Sequence, residues 1–129
     1  MTTHACLVCL GSNNEKEVNM SLARKRLIEL FPSIRFSVEL QTEPFGLYNP
    51  TPFSNQLAQF ATQEDLSTVI HFLKGIEQET GRKPEDKAEE KIKLDIDLLM
   101  YDDAVLKPDD MKRAYVIDGL RQLRGDRLL

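Results

Sequence analysis

At 129 residues with a formal charge of −4 at pH 7, the chain is long enough for one domain with a two-layer core. Apolar residues make up 41% and charged residues 29%, the mix of an ordinary globular protein rather than a disordered or membrane-spanning one. A pI of about 5.2 argues against a broad surface for nucleic acid, although Arg24-Lys25-Arg26, Arg82-Lys83, Lys91 with Lys93, and Lys112-Arg113 form small basic groups that suit a small anion. Met1-Thr2-Thr3-His4 leads straight into an apolar segment without the basic region and cleavage site of a secretion signal, so a cytoplasmic protein is expected.

ACLVCL, residues 5–10, reads as a short apolar strand. Its Cys6 and Cys9 form a CxxC, but strand positions three apart face opposite ways, so the pair reads as two structural thiols. Gly11-Ser12-Asn13-Asn14 brings turn chemistry and offers Asn14 as a helix N-cap. EKEVNMSLARKRLIELF, 15–31, carries Val18, Leu22, Leu27, Ile28 and Phe31 at near-helical spacing, which predicts a helix with that face on a sheet, stopped by Pro32-Ser33. In 34–43, Ile34, Phe36, Val38 and Leu40 alternate with polar residues as in a half-buried strand. EPFGLYNPTP, 43–52, is too long for a tight hairpin turn. FSNQLAQFAT, 53–62, is a further strand, and 66–80 a second helix with Val69, Ile70, Leu73 and Ile76 inward. GRKPEDKAEEKIK, 81–93, is charged and Pro-broken and reads as a mobile surface loop. IKLDIDLLMY, 92–101, is a strand; the tail from Pro108 has a helical piece near 110–114 and a less defined continuation.

The order strand, helix, strand, strand, helix, strand over a single domain, 1–129, is the βαββαβ pattern of an α+β ferredoxin-like fold. Two helices would cover one face of an antiparallel sheet and leave the other for a ligand. On that free face Asp95 and Asp97 stand two apart on one strand, while Leu94, Ile96 and Leu98 fill the core side. Adjacent anions raise each other's pKa unless a cation joins them. A hard divalent ion such as Mg²⁺ takes one or two carboxylates together with phosphate oxygens. The plainer alternative is a solvated pair with Lys91 or Lys93 beside it.

A series of short motifs carries the argument further: Gly11-Ser12-Asn13, Thr42-Glu43-Pro44-Phe45-Gly46, Phe53-Ser54-Asn55, Ile76-Glu77 with Gly81-Arg82, Leu94-Asp95-Ile96-Asp97, and Arg113-Ala114-Tyr115. In this order the set resembles the 6-hydroxymethyl-7,8-dihydropterin pyrophosphokinases of folate biosynthesis, over roughly residues 5–117. The resemblance implies a ferredoxin-like, Mg²⁺-dependent transferase. It would move pyrophosphate from ATP to the pterin hydroxymethyl oxygen with two Mg²⁺ on Asp95 and Asp97. It also implies pterin reading by Asn55, ring stacking by Phe53 and Tyr115, and a pocket lined by Thr42 and Phe45. Arg82, Lys91, Lys93 and Arg113 would meet the nucleotide, Arg82 also serving catalysis. ATP and the pterin are then the partners, with no nucleic acid and no membrane, and a monomer is expected.

The nucleotide half departs from the family pattern. Ile92 stands where an arginine is expected, three before Asp95, and Glu89 and Glu90 add anions to that loop. AVLKPDDMKRAYV lacks the histidine expected ahead of Arg113, with Asp109 and Asp110 in that region. If each missing cation costs ~2–4 kcal/mol of transition-state stabilisation, transfer slows by orders of magnitude. Two functions therefore stay open: a divergent pyrophosphokinase, or a catalytically weak relative that binds a pterin or another partner.

Overall fold

The computed structural model describes residues 2–44 and 46–125; the expected pocket residue Phe45 lies outside the described residues. Period-two alternation organises the centre. In β1 (His4–Ser12) Cys6, Val8 and Leu10 face one side and Leu7 and Cys9 the other, and all five are buried. A strand apolar on both faces needs cover on both, and it receives it.

On the first face lie α1 (Lys16–Leu30) and α2 (Leu66–Glu79). They bring Met20, Ala23 and Leu27, and Val69, Leu73 and Ile76, onto Val8, Leu10, Leu94, Ile96 and Leu98. Phe31 stacks on Phe60 with ring centroids 3.9 Å apart, adding aromatic contact to that core. α2 begins where the Asp65 carboxylate accepts the Thr68 N–H at 2.9 Å, the side-chain cap that its sequence position suits.

β1 lies between β4 (Phe53–Thr62) and β5 (Asp95–Tyr101), antiparallel to both. β2 (Arg35–Phe36) and β3 (Leu40–Thr42) pair with the outer side of β4, and β6 (Ala104–Val105) with β5. The sheet order is β2-β4-β1-β5-β6, with β3 also on β4. The chain is thus α+β with an open antiparallel sheet. In β5 the register slips between Leu7 and Val8 of β1, so Leu99 is extra. This bulge turns Leu99 and Met100 both toward the second face.

Several sequence expectations are corrected. The second face is not left open: α4 (Ala114–Gly125) seats Val116 and Leu123 on Leu7, Cys9, Leu57 and Leu99. The tail expected to be ill-defined is therefore helical through Gly125. Gly11 and Ser12 extend β1 instead of turning, paired with Asn55 and Ser54. The residue before α1 is Glu15 at φ 48, without a side-chain cap, in place of Asn14. Val18 (67% exposed) and Ile28 (51%) face out, because the stripe Met20, Ala23, Leu27, Phe31 has the tighter helical spacing and a small residue where helix and sheet approach.

The strand expected over 34–43 is split. At Ser37 the chain leaves the ladder: its hydroxyl accepts the Leu57 N–H at 2.9 Å and its own N–H donates to the Leu57 carbonyl at 2.9 Å. Val38 consequently turns outward. The 81–93 stretch is not a featureless loop, since Pro84–Ala88 forms α3. Pro84 sits in its first turn, and the Asp86 carboxylate accepts the Lys83 N–H at 3.0 Å.

Cys6 and Cys9 are buried, unbridged and on opposite faces. Burial, with Asp102 adding, pushes the Cys6 thiol up to about 11; burial, with Asp97 and Asp110 adding, pushes Cys9 up to about 12. Both stay protonated until the pH approaches those values, so native protein below about pH 9 should label slowly with a thiol reagent and rapidly in denaturant. Fast native labelling of Cys9 would show that α4 opens readily.

Candidate active site

The candidate site grows out of two rows running across three strands. Register places Asn55 of β4, Gly11 of β1 and Asp95 of β5 side by side, and in the next row Leu57, Cys9 and Asp97. Glycine at the centre of the first row is a steric requirement. A Cβ on Gly11 would lie 3.1 Å from Asn55 Oδ1, so a side chain there would crowd the amide. The small Gly11 and Cys9 form a floor between Asn55 and the two carboxylates.

That floor opens into a cavity of about 570 Å³, lined in addition by Thr42, Phe53, Ile92, Arg113 and Tyr115. Strand β4 contributes Phe53 and Asn55, which share a face because they are two apart. Thr42, opposite Phe53 in β3, accepts a hydrogen bond from Asn55 Nδ2. Tyr115 arrives from the first turn of α4, which a close contact presses onto the sheet: a Cβ on Gly119 would lie 2.7 Å from Leu57 Cδ1. Burial, with Cys9 adding, holds the Tyr115 hydroxyl protonated well above the usual phenol range. The residues expected to bind a pterin, Thr42, Phe53, Asn55 and Tyr115, therefore meet the expected metal pair in one cavity.

The carboxylates are short of positive charge. Burial pushes the Asp95 carboxyl up despite the opposing pull of Arg82 and Lys107. Asp97 is pushed up by burial and then by Asp95, with Lys107 and Lys74 opposing. Glu77 is raised as well, by burial and then by Asp95, against the stabilising Ile96 N–H that it accepts at 2.7 Å. Arg82 Nη1 lies 3.1 Å from Glu77 Oε1 and 3.6 Å from Asp95 Oδ1. Such a donor set suits a hard divalent cation. Among the described residues no group of three or more His, Cys, Asp or Glu could hold a metal ion, so two protein carboxylates would be completed by water and phosphate oxygens, as Mg²⁺ accepts.

The family model described as 7,8-dihydro-6-hydroxymethylpterin-pyrophosphokinase (HPPK) matches residues 7–125. The chain belongs to this family. Among solved structures, the de novo designed protein Foldit4 is similar at 12% identity, with a TM-score of 0.36, over 77% of this chain and 98% of the designed one.

In this HPPK chain a second cavity of about 350 Å³ lies between α2 and the outer side of β5. Leu66, Ile70 and Leu73 give it an apolar wall, Lys74 and Lys107 bring charge, and Asp97 is shared with the first cavity. Lys74 and Lys107 had no role in the sequence reading, and Glu77 entered it only as part of the Ile76-Glu77 motif. Alternation and helical spacing show which face each occupies, but not that α2 packs beside the open edge of β5. Of the expected nucleotide residues, Arg113 lines the first cavity and makes a 3.3 Å contact from Nε to Asp110 Oδ1. Lys91 pairs with Glu89 at 2.6 Å, and neither Lys91 nor Lys93 lines either cavity. No helix among the described residues is long and apolar enough to cross a membrane.

Proposed function

We propose that this chain transfers pyrophosphate from ATP to the hydroxymethyl group of 6-hydroxymethyl-7,8-dihydropterin, acting as one cytoplasmic, monomeric, ferredoxin-like domain. The observation that carries the reading is the convergence of an amide, two aromatic rings and a charge-deficient carboxylate pair on one cavity. Asn55 gives one N–H to Thr42 and keeps an acceptor and a donor for the edge of a flat heterocycle. Phe53 and Tyr115 hold its faces. That leaves the exocyclic carbon at the Asp95 end of the row, where its oxygen attacks the β-phosphorus of ATP and AMP departs. Asp95 and Asp97 would hold the Mg²⁺, two ions being expected with ATP, and the metal would supply positive charge against the phosphates during transfer.

ATP belongs to the second cavity in this reading. The base lies against Leu66, Ile70 and Leu73, and its phosphates run past Lys74 and Lys107 to Asp97. Arg82, whose Nη1 lies 3.6 Å from Asp95 Oδ1, would offer its guanidinium to those phosphates.

One observation favours the alternative of a weak, ligand-binding relative: Ile92 lines the cavity at the position of the expected arginine, and Asp110 lines it too. Calorimetric titration with a non-hydrolysable ATP analogue and Mg²⁺, then with 6-hydroxymethylpterin, alongside an AMP-release assay, decides between them. Both ligands bound and AMP released establish the kinase. Pterin bound without AMP release establishes the binding domain, and absence of pterin binding defeats the kinase and leaves only a relative that binds another partner.

Asn55→Ala should weaken pterin binding by about 30-fold, the loss of two hydrogen bonds at ~1 kcal/mol each, with nucleotide affinity unchanged. Equal loss of both ligands in the same titration would make Asn55 a structural residue.

A further inference from the structure

Part of the first cavity's wall comes from segments remote in sequence, Pro44 and Leu47 from the stretch between β3 and β4, and Ile92 from the stretch after α3. Glu90 joins them. Its Oε1 accepts the backbone N–H of Tyr48 and that of Asn49, the latter at 2.7 Å. Its backbone carbonyl accepts from Asn49 Nδ2 at 3.4 Å and from Asn13 Nδ2 at 2.9 Å.

The Glu90 end of this bridge is firm. Its N–H donates to the Lys87 carbonyl at 3.1 Å, and Asn13 grips the next residue but one, with Ile92 N–H to Asn13 Oδ1 at 2.6 Å and Asn13 N–H to the Ile92 carbonyl at 2.9 Å. Asn13 is itself buried. The Tyr48 end is loose by comparison, since the Tyr48 side chain is 97% exposed and holds nothing in place by packing. Glu90 also has φ 55, a backbone state that residues other than glycine, asparagine and aspartate adopt at a cost. A glutamate in that state, with one carboxylate oxygen on two successive amides, is a specific tie and not an incidental surface contact.

We propose that Glu90 is a positioning residue, a clasp that holds the 46–49 segment to the 90–92 segment and so sets how long a ligand stays in the cavity. The proposal rests on the reading of that cavity as the pterin site. It gives the added anion of this loop a role other than repelling phosphate, because its carboxylate is engaged by backbone amides.

The test compares the wild-type chain with Glu90→Ala and Glu90→Gln. Amide exchange is followed without ligand, and stopped-flow pterin fluorescence with it. In Glu90→Ala the Tyr48 and Asn49 amides should exchange at least about tenfold faster while β1 and β4 amides keep their rates. Pterin dissociation should quicken about tenfold with association little changed. Glu90→Gln, which keeps an acceptor oxygen, should fall between. Unchanged exchange at Tyr48 and Asn49 in Glu90→Ala, or faster exchange with unchanged pterin release, overturns the clasp. A wild-type chain that binds no pterin defeats the functional reading and the clasp's ligand role with it; wild-type binding with equal release from Glu90→Ala defeats the clasp alone.

Discussion

Asp95→Ala and Asp97→Ala should each lower Mg²⁺-dependent AMP release by about a thousandfold or more, since each removes half of the protein's contribution to the metal. Neither should unfold the protein. Both carboxyls bind their proton more tightly when folded than their ordinary value of 3.8, so the ionised forms cost stability. The cost is absent below about pH 3.8 and grows as the pH rises through the raised folded values. Metal-free Asp97→Asn should therefore melt at or above the wild-type temperature at pH 7, the difference closing as the pH falls toward 4. Added Mg²⁺ and ATP analogue should raise the wild-type melting temperature and leave the variants where they were. AMP release by both alanine variants at the wild-type rate would remove the metal role altogether.

Gly119→Ala should destabilise the fold by about 1–3 kcal/mol, despite alanine's better helix propensity of ~1 kcal/mol. The new Cβ would meet Leu57 at Cδ1 (2.7 Å), Cγ (2.8 Å) and Cβ (3.2 Å). Leu57 is 1% exposed, so its side chain has little free space to move into. If α4 lifts to relieve the contact, Tyr115 lifts with it, and pterin affinity should fall together with melting temperature while nucleotide affinity holds. Urea denaturation read by circular dichroism checks the first part and pterin titration the second. A variant as stable as wild type would mean that Leu57 repacks freely, and that α4 is not held at that height by this contact.

What could be read from sequence followed the residues whose local pattern matches their final partners. β4 has the bounds expected, and Leu94, Ile96 and Leu98 fill the core while Asp95 and Asp97 face the cavity. Cys6 and Cys9 part to opposite faces as alternation requires. Asp95, Asp97, Asn55, Phe53, Thr42 and Tyr115 were legible together because each motif occurs in the family's order.

The misreadings have a common cause in contacts that local spacing does not encode. Ser37 breaks its strand because its hydroxyl substitutes for a ladder acceptor. Val18 and Ile28 are apolar yet exposed, because β1 offers room to the Met20–Ala23–Leu27 stripe instead. The role of α4 as cover for the second face depends on Gly119 and Leu57 approaching, which no propensity announces. Likewise Lys74 and Lys107 acquire meaning only when α2 and the residues after β6 meet beside β5.

The row Asn55, Gly11, Asp95 has a metric consequence. Two strand spacings separate its outer members, ~10 Å measured across the sheet, and ladder hydrogen bonds on both sides of β1 fix that span. It works as a ruler. On the proposed reading, a fused bicyclic ring gripped at Asn55 would deliver its exocyclic carbon near the carboxylates, whereas a single pyrimidine ring gripped the same way would stop a ring's width short. Acceptor length would then be measured by the sheet's own lattice, without a moving part.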